Sequence, residues 1–243
     1  MPSAAIDAHV HLHRPASALD DLDQAWRNMA DLRRAGHVPV LMLAEQSGSD
    51  VFAYLADHLS PCAEPEALWY EADGARMLIV AGRQIVSGEG LEILALGYRE
   101  LVEDGRPAAT IVAELSARDA LVVLPWGAGK WLGERGRLLG RLLAQEQGRT
   151  LLLGDNGGRP AWWSAPLLGG TRTLSGSDPL PLRGSAGRIG SFGTIVEATL
   201  SLDHPVRDLK AAMRNPATPM LRFGKPVSSV RFAREQLMLR LAR

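Results

Sequence analysis

Short apolar runs in this chain repeatedly end in a polar cluster and give way to a helical pattern. That alternation is the feature that most limits the fold. Parallel strands need long crossovers, and a helix is the usual one, so the pattern predicts an α/β fold with helices over the strands. Ala4 to Leu12 reads as the first strand, with Ile6, Ala8, Val10 and Leu12 on one face and Asp7, His9 and His11 on the other. A helix follows over Ala18 to Ala35, and a second strand over Val38 to Ala44 ends at Glu45. Met77 to Val86 and Leu91 to Gly97 read as a strand pair around a Gly-containing turn. Ala108 to Ala117 and Gly133 to Gln147 read as helices; Leu121 to Leu124, Thr150 to Leu153 and Thr171 to Leu174 read as buried strands.

Gly184 to Leu202 is ambiguous, with Thr194 to Leu200 placed as a strand that crosses or seals the structure. Val206 to Asn215 and Val230 to Arg243 complete the chain as helices. No linker or composition shift divides the 243 residues, so one domain over 1–243 is expected. Lys plus Arg equals Asp plus Glu at 27 each, which removes any global field favouring nucleic acid or anionic membrane. A small-molecule substrate, with an anionic group, and no nucleic acid or membrane partner is therefore the expectation. The oligomeric state is left open. Cys62 is the single cysteine, so neither an intrachain disulfide nor a thiolate zinc cluster can form. With no basic and apolar leader pattern at the N-terminus, a cytoplasmic location is expected.

Chemistry in such folds gathers where strands end. His9-Val10-His11 puts two imidazoles on one strand face, about 6.5 to 7 Å apart along the chain, a spacing at which both can reach one divalent ion. Neutral imidazole suits Zn, Mn or Fe. Asp178 closes a Gly-Ser-Asp turn after a late strand and is the expected third ligand, although a turn Asp before Pro179 has the same appearance. Asp155 and Glu45 also end strands and are candidate catalytic carboxylates, as further ligand or general base. Lys130 and Arg83 are candidates for holding an anionic group. Trp126-Gly127-Ala128-Gly129-Lys130-Trp131 lacks the first glycine and the Ser/Thr of a phosphate-binding P-loop. Gly187-Arg188-Ile189-Gly190 precedes a strand-like stretch, against a dinucleotide fingerprint.

Asp7-Ala8-His9-Val10-His11 resembles the first motif of the polymerase-and-histidinol-phosphatase (PHP) family of metal-dependent hydrolases. Arg83 to Val86 with Leu91 to Gly97 resembles its central hairpin, and Gly176-Ser177-Asp178 resembles its closing motif. The resemblance implies a distorted TIM-like (β/α)7 barrel and phosphoester hydrolysis by metal-activated water. The chain departs from the pattern at several ligands: Gln84 replaces a Glu, Leu94 a His, Pro125-Trp126 a His-Pro pair, and Pro179-Leu180 stands where the last His is expected. Those losses imply one metal rather than three, held by His9, His11 and Asp178. The alternative is a barrel that has lost catalysis and serves as a ligand- or protein-binding module.

Overall fold

A computed structural model describes residues 3–145, 151–170 and 172–241. The described elements run β1 (Ser3–Val10), α1 (Ala18–Asn28), α2 (Ala30–Arg34), β2 (His37–Leu43), α3 (Val51–Ala56), β3 (Ser60–Pro61), β4 (Ala67–Ala72), β5 (Ala75–Val80), β6 (Gly82–Val86) and β7 (Glu92–Leu96). They continue with α4 (Ala108–Ala117), β8 (Leu121–Pro125), α5 (Gly133–Gln145), β9 (Leu152–Asn156), α6 (Leu167–Gly170), β10 (Thr173–Gly176), β11 (Phe192–Glu197), α7 (Pro205–Arg214), β12 (Met220–Gly224) and α8 (Ser229–Leu241). The ends of the expected helix to Gln147 and of the expected terminal helix to Arg243 lie outside the described residues, as do Thr150 and Thr171.

The strands form two mixed sheets, ordered β12-β11-β1-β2-β5-β4-β3 and β10-β9-β8-β7-β6. Neither closes into a barrel, which corrects the expectation of a TIM-like (β/α)7 ring. The reason lies in the strand directions. β6, β7 and β8 pair antiparallel, as do β4 with β5 and β11 with both β1 and β12. The sheets nevertheless touch at two seams. Asp178 N–H donates to His9 O at 2.9 Å, and Gln84 N–H donates to Glu45 O at 2.8 Å.

Apolar strands buried on both faces explain this arrangement, because each sheet must be covered twice. The facing surfaces of the two sheets share one core, which includes Ile6, Met42, Val80, Leu94, Val123, Leu152 and Leu174. Val206, Leu209 and Met213 of α7 pack into that same core. The outer face of the first sheet lies under α1 and α3, through Leu22, Trp26, Phe52 and Leu55. That of the second lies under α4 and α5, through Ile111, Leu115, Leu139 and Leu142. Each fully buried Leu-sized side chain contributes about 1.5–3 kcal/mol.

Three local readings change. Met77 to Val86 is not one strand: the chain changes sheet at Ala81, whose carbonyl accepts from Gly97 N–H at 2.9 Å. β4 was hidden in the sequence, although Asp73 and Gly74, both at positive φ, make its hairpin with β5. The long first helix breaks at Met29, leaving α1 and α2.

The phase of β1 changes as well. Its pairing with β2 is irregular between Asp7 and Val10. Ala4, Ile6 and Ala8 belong to the core between the sheets, whereas Val10 and Leu12 belong with Ala5 to the core under α1. A one-residue slip turns all later side chains to the other face. His9 and His11 therefore share the side of Ile6, over the inter-sheet core, so the expected cleft-facing histidines lie on the same side as part of the apolar face.

Candidate metal centre

His9 lies near the end of β1 and His11 directly follows the strand, and the chain after β10 brings Asp178 against them. His9 Nε2 lies 3.0 Å from His11 Nε2 and 3.1 Å from Gln84 Oε1 of β6. Asp178 Oδ1 stands 3.7 Å from His9 Nε2 and 3.5 Å from His11 Nε2. Among the described residues, these three side chains form the one group of at least three His, Cys, Asp or Glu whose donor atoms converge, all within 4.8 Å of one another. Bonds of about 2.0–2.1 Å in a tetrahedron set donor–donor edges near 3.3 Å. The observed separations bracket that value, so the donor set fits a single divalent ion.

Local forces hold this geometry. Asp178 has φ 44°, a left-handed conformation that few L residues other than Asn and Asp adopt readily. Its other oxygen, Oδ2, accepts from Asn156 Nδ2 at 2.9 Å, fixing the carboxylate plane. Burial alone would raise the Asp178 carboxyl, but the fields of His9, His11, Arg188 and Lys130 outweigh it and draw the group below its ordinary value. Burial, followed by the neighbouring His9, lowers the His11 imidazole to about 3. His11 is therefore neutral, the state a ligand needs.

Asp7, grouped with the histidines by the sequence pattern, is turned to another task. It is fully buried and accepts from Ser177 N–H at 2.7 Å and Gly190 N–H at 2.8 Å. Burial pushes its carboxyl up to about 6, against these hydrogen bonds, which pull it down. Asp7 thus ties β1 to the loop that carries Asp178.

The His11 shift has a consequence for the metal-free protein. A depressed imidazole stabilises the fold above the unfolded value of 6.5, and that stability is lost as pH falls from 6.5 toward 3, because the unfolded chain takes up the proton first. Chemical denaturation at stepped pH in chelator is expected to show about 2 kcal/mol lost over the first two units below 6.5. In His11→Gln that component is absent. An identical slope in both proteins would remove His11 as its source.

The structure does not bring the other sequence candidates into the donor group. Asp155 is buried with its carboxylate gripped by Arg159, at 2.7 and 2.8 Å, and approached by Arg222 at 3.3 Å. It faces away from the cluster because alternation along β9 gives the inward position to Asn156. Glu45 accepts from Val51 N–H and Phe52 N–H at the start of α3 and pairs with Arg83 at 3.5 Å. Burial raises its carboxyl. Arg83 is itself buried, donating to Ser49 O at 2.8 Å and to Arg99 O at 2.9 and 3.0 Å. Lys130 does reach the cleft, where it pairs closely with Glu92.

The cleft above the donors has a volume of about 250 Å³ and is walled by Trp126, Leu180, Phe232 and Leu239. α8 thus closes one side, held by buried Glu235, which accepts from Arg231 at 2.7 Å and stands 3.9 Å from Arg188. The family resemblance had already put Gln84 at a ligand position, and it does contact His9. Sequence reasoning missed Asn156 as the partner of Asp178 and α8 as a wall. Asn156 could have been found by counting β9 one residue further. The α8 wall depends on long-range packing and leaves no local signal.

No family model matches this chain, and no curated protein matches it either. Solved structures do resemble it in fold. PsfC from Pseudomonas syringae superposes with a TM-score of 0.56 at 16% identity, over 100% of this chain and 99% of that one. The lesion-specific endonuclease PfuEndoQ from Pyrococcus furiosus gives 0.55 at 14% identity, over 91% of this chain and 59% of that one. Endonuclease Q in complex with a 27-mer duplex substrate, with an abasic lesion at the active site, gives 0.53 at 17%, over 92% and 60%. The chain spans about 60% of the length of these endonucleases. The likeness is one of fold. It overturns the expectation of a small-molecule substrate and no nucleic acid, since a protein of this fold is seen with a DNA duplex as its substrate. No helix among the described residues is long and apolar enough to cross a membrane.

Proposed function

We propose that this protein is a metal-dependent phosphodiester hydrolase acting on nucleic acid, with one divalent ion held by His9, His11 and Asp178. The convergence of those three donors carries the reading. The likeness to Endonuclease Q supports the substrate class. We read the two sheets, in contact at His9–Asp178 and Glu45–Gln84, as the two layers of one PHP-like domain over residues 1–243. A divalent ion supplies Lewis acidity to a phosphoryl oxygen and to the attacking water.

The chain's own residues do the rest. Asn156 orients Asp178, and Gln84 orients His9. Lys130 brings positive charge to the cleft beside Glu92, suited to a phosphate oxygen. Trp126, Leu180 and Leu239 keep bulk water from the donors. We assign no proton transfer to Asp155 or Glu45 and no substrate contact to Arg83, because each is engaged in a structural ion pair.

The test is cleavage of single- and double-stranded DNA, with and without base lesions, in Zn2+, Mn2+ or Fe2+. Metal-dependent cleavage that His11→Ala abolishes is the expected outcome; no cleavage of any of these with metal bound would refute the reading. A second reading, binding without catalysis, is favoured by one observation: Gln84 offers a neutral amide where the PHP-like hairpin has a carboxylate. Gln84→Glu is accordingly expected to tighten metal binding on the order of tenfold, measured by competition with a chelating dye. Unchanged affinity would separate position 84 from the ion.

A further inference from the structure

Beside the cleft lies an aromatic cluster that metal chemistry does not use. Trp126 meets Trp163 edge to face at 5.4 Å between ring centroids, and Trp163 stacks on Trp162 at 5.7 Å and 22°. Phe232 of α8 lies 5.8 Å from Trp163 and 6.5 Å from Trp162. Trp126 and Phe232 also wall the metal cleft, so the aromatic track is continuous with it. Its outer end is Trp162, 64% exposed. That ring is fixed: its Nε1 donates to Ser229 Oγ at 2.9 Å, and Trp163 stacks beneath it. A large exposed indole with a locked orientation calls for a flat ligand.

The charge around the track names the ligand. The chain as a whole is balanced, yet residues 220–241 hold Arg222, Lys225, Arg231, Arg234 and Arg240 against Glu235 alone. Glu235 is buried, whereas Arg234, Arg240 and Lys225 are exposed. Between α8 and the loop after β8, a groove of about 410 Å³ is bordered by Trp163, Phe232, Leu237 and Arg240. Stacking surfaces interleaved with cations bind single-stranded nucleic acid, because every unpaired base has a π-face and every link a charge.

We infer that Trp162 and Trp163, with Arg240 of α8, form a stacking subsite for an unpaired nucleobase that holds its strand with a phosphodiester at the metal cleft. This deepens the proposed function and rests on it. An unpaired base is required, since a base within a duplex has no free face to offer.

The test is binding of a short oligothymidylate and of an abasic sugar–phosphate strand of equal length, followed by tryptophan fluorescence. Wild type is expected to prefer the base-bearing strand, and Trp162→Ala to lose about tenfold of that affinity while binding the abasic strand as before. Trp162→Phe is expected to restore most of the loss. Arg240→Ala is expected to flatten the salt dependence of binding to both strands. Equal binding of the two strands by wild type, or full affinity in Trp162→Ala, would overturn the subsite. Metal content of the same preparations separates this failure from that of the hydrolase: metal retained without base preference sinks the subsite alone.

Discussion

Replacing His11 with alanine is expected to strip the protein of its divalent ion. Three side chains converge on the site, and His11 supplies one of only two imidazoles. Loss of residues that merely support a ligand typically lowers metal affinity 10–100-fold, so removal of a ligand is expected to exceed about 100-fold. Asp178 and His9 alone would leave a two-donor site, too weak to hold an ion through purification. Elemental analysis of protein purified without a chelating tag is the measurement. One equivalent in wild type, and none in His11→Ala or His9→Ala, is the expected pattern. Two equivalents in wild type would make Gln84, Glu92 or His13 a partner in a second site, since each lines the same cleft. Retention of one full equivalent in both variants would remove the histidine pair from metal binding altogether. Both side chains are buried but stand over a cleft, so the variants are expected to fold.

Gly176→Ala is expected to damage the fold and the centre together. A Cβ at that position would lie 2.3 Å from His9 N and 2.5 Å from His9 Cβ, inside any tolerable contact. Neither neighbour can yield, because one is backbone and the other is fixed to it. Gly176 is thus the residue that lets β10 lie flush against β1 and puts Asp178 within reach of the histidines. Overpacking commonly costs about 1–3 kcal/mol, and a contact this short between two backbones belongs at or beyond the upper end. For a chain of this size a loss of about 3 kcal/mol lowers the melting temperature by about 6–12 °C. Differential scanning calorimetry in chelator measures the fold, and metal titration measures the centre. A variant with wild-type melting and metal content would show that the two sheets can separate at this seam without cost.

Much of this follows from the sequence alone. The run of strand, polar end and helix fixed the mixed α/β class, since apolar strands of this kind must be covered on both faces. His9-Val10-His11 was legible as a pair of converging imidazoles because alternate residues on a strand share a face. Asp178 was legible as a candidate from its place after a late strand and its Gly-Ser-Asp resemblance, and the structure brings it to the histidines. Such features depend on neighbours within a few residues, and local sterics and period determine them.

Tertiary structure decided the rest. The irregularity after Asp7 turned the histidines over the inter-sheet core and left Asp7 to anchor a loop. One residue of phase along β9 sent Asp155 to Arg159 and gave Asn156 to the centre. Antiparallel pairing of β6 through β8 left two open sheets where the family resemblance implied a ring. Trp126, Trp163 and Phe232, far apart in the chain, became one surface only when α8 packed across the cleft. Phase and strand direction are set by how distant surfaces fit. A slip of one residue leaves composition and local propensity unchanged while moving every following side chain to the opposite face.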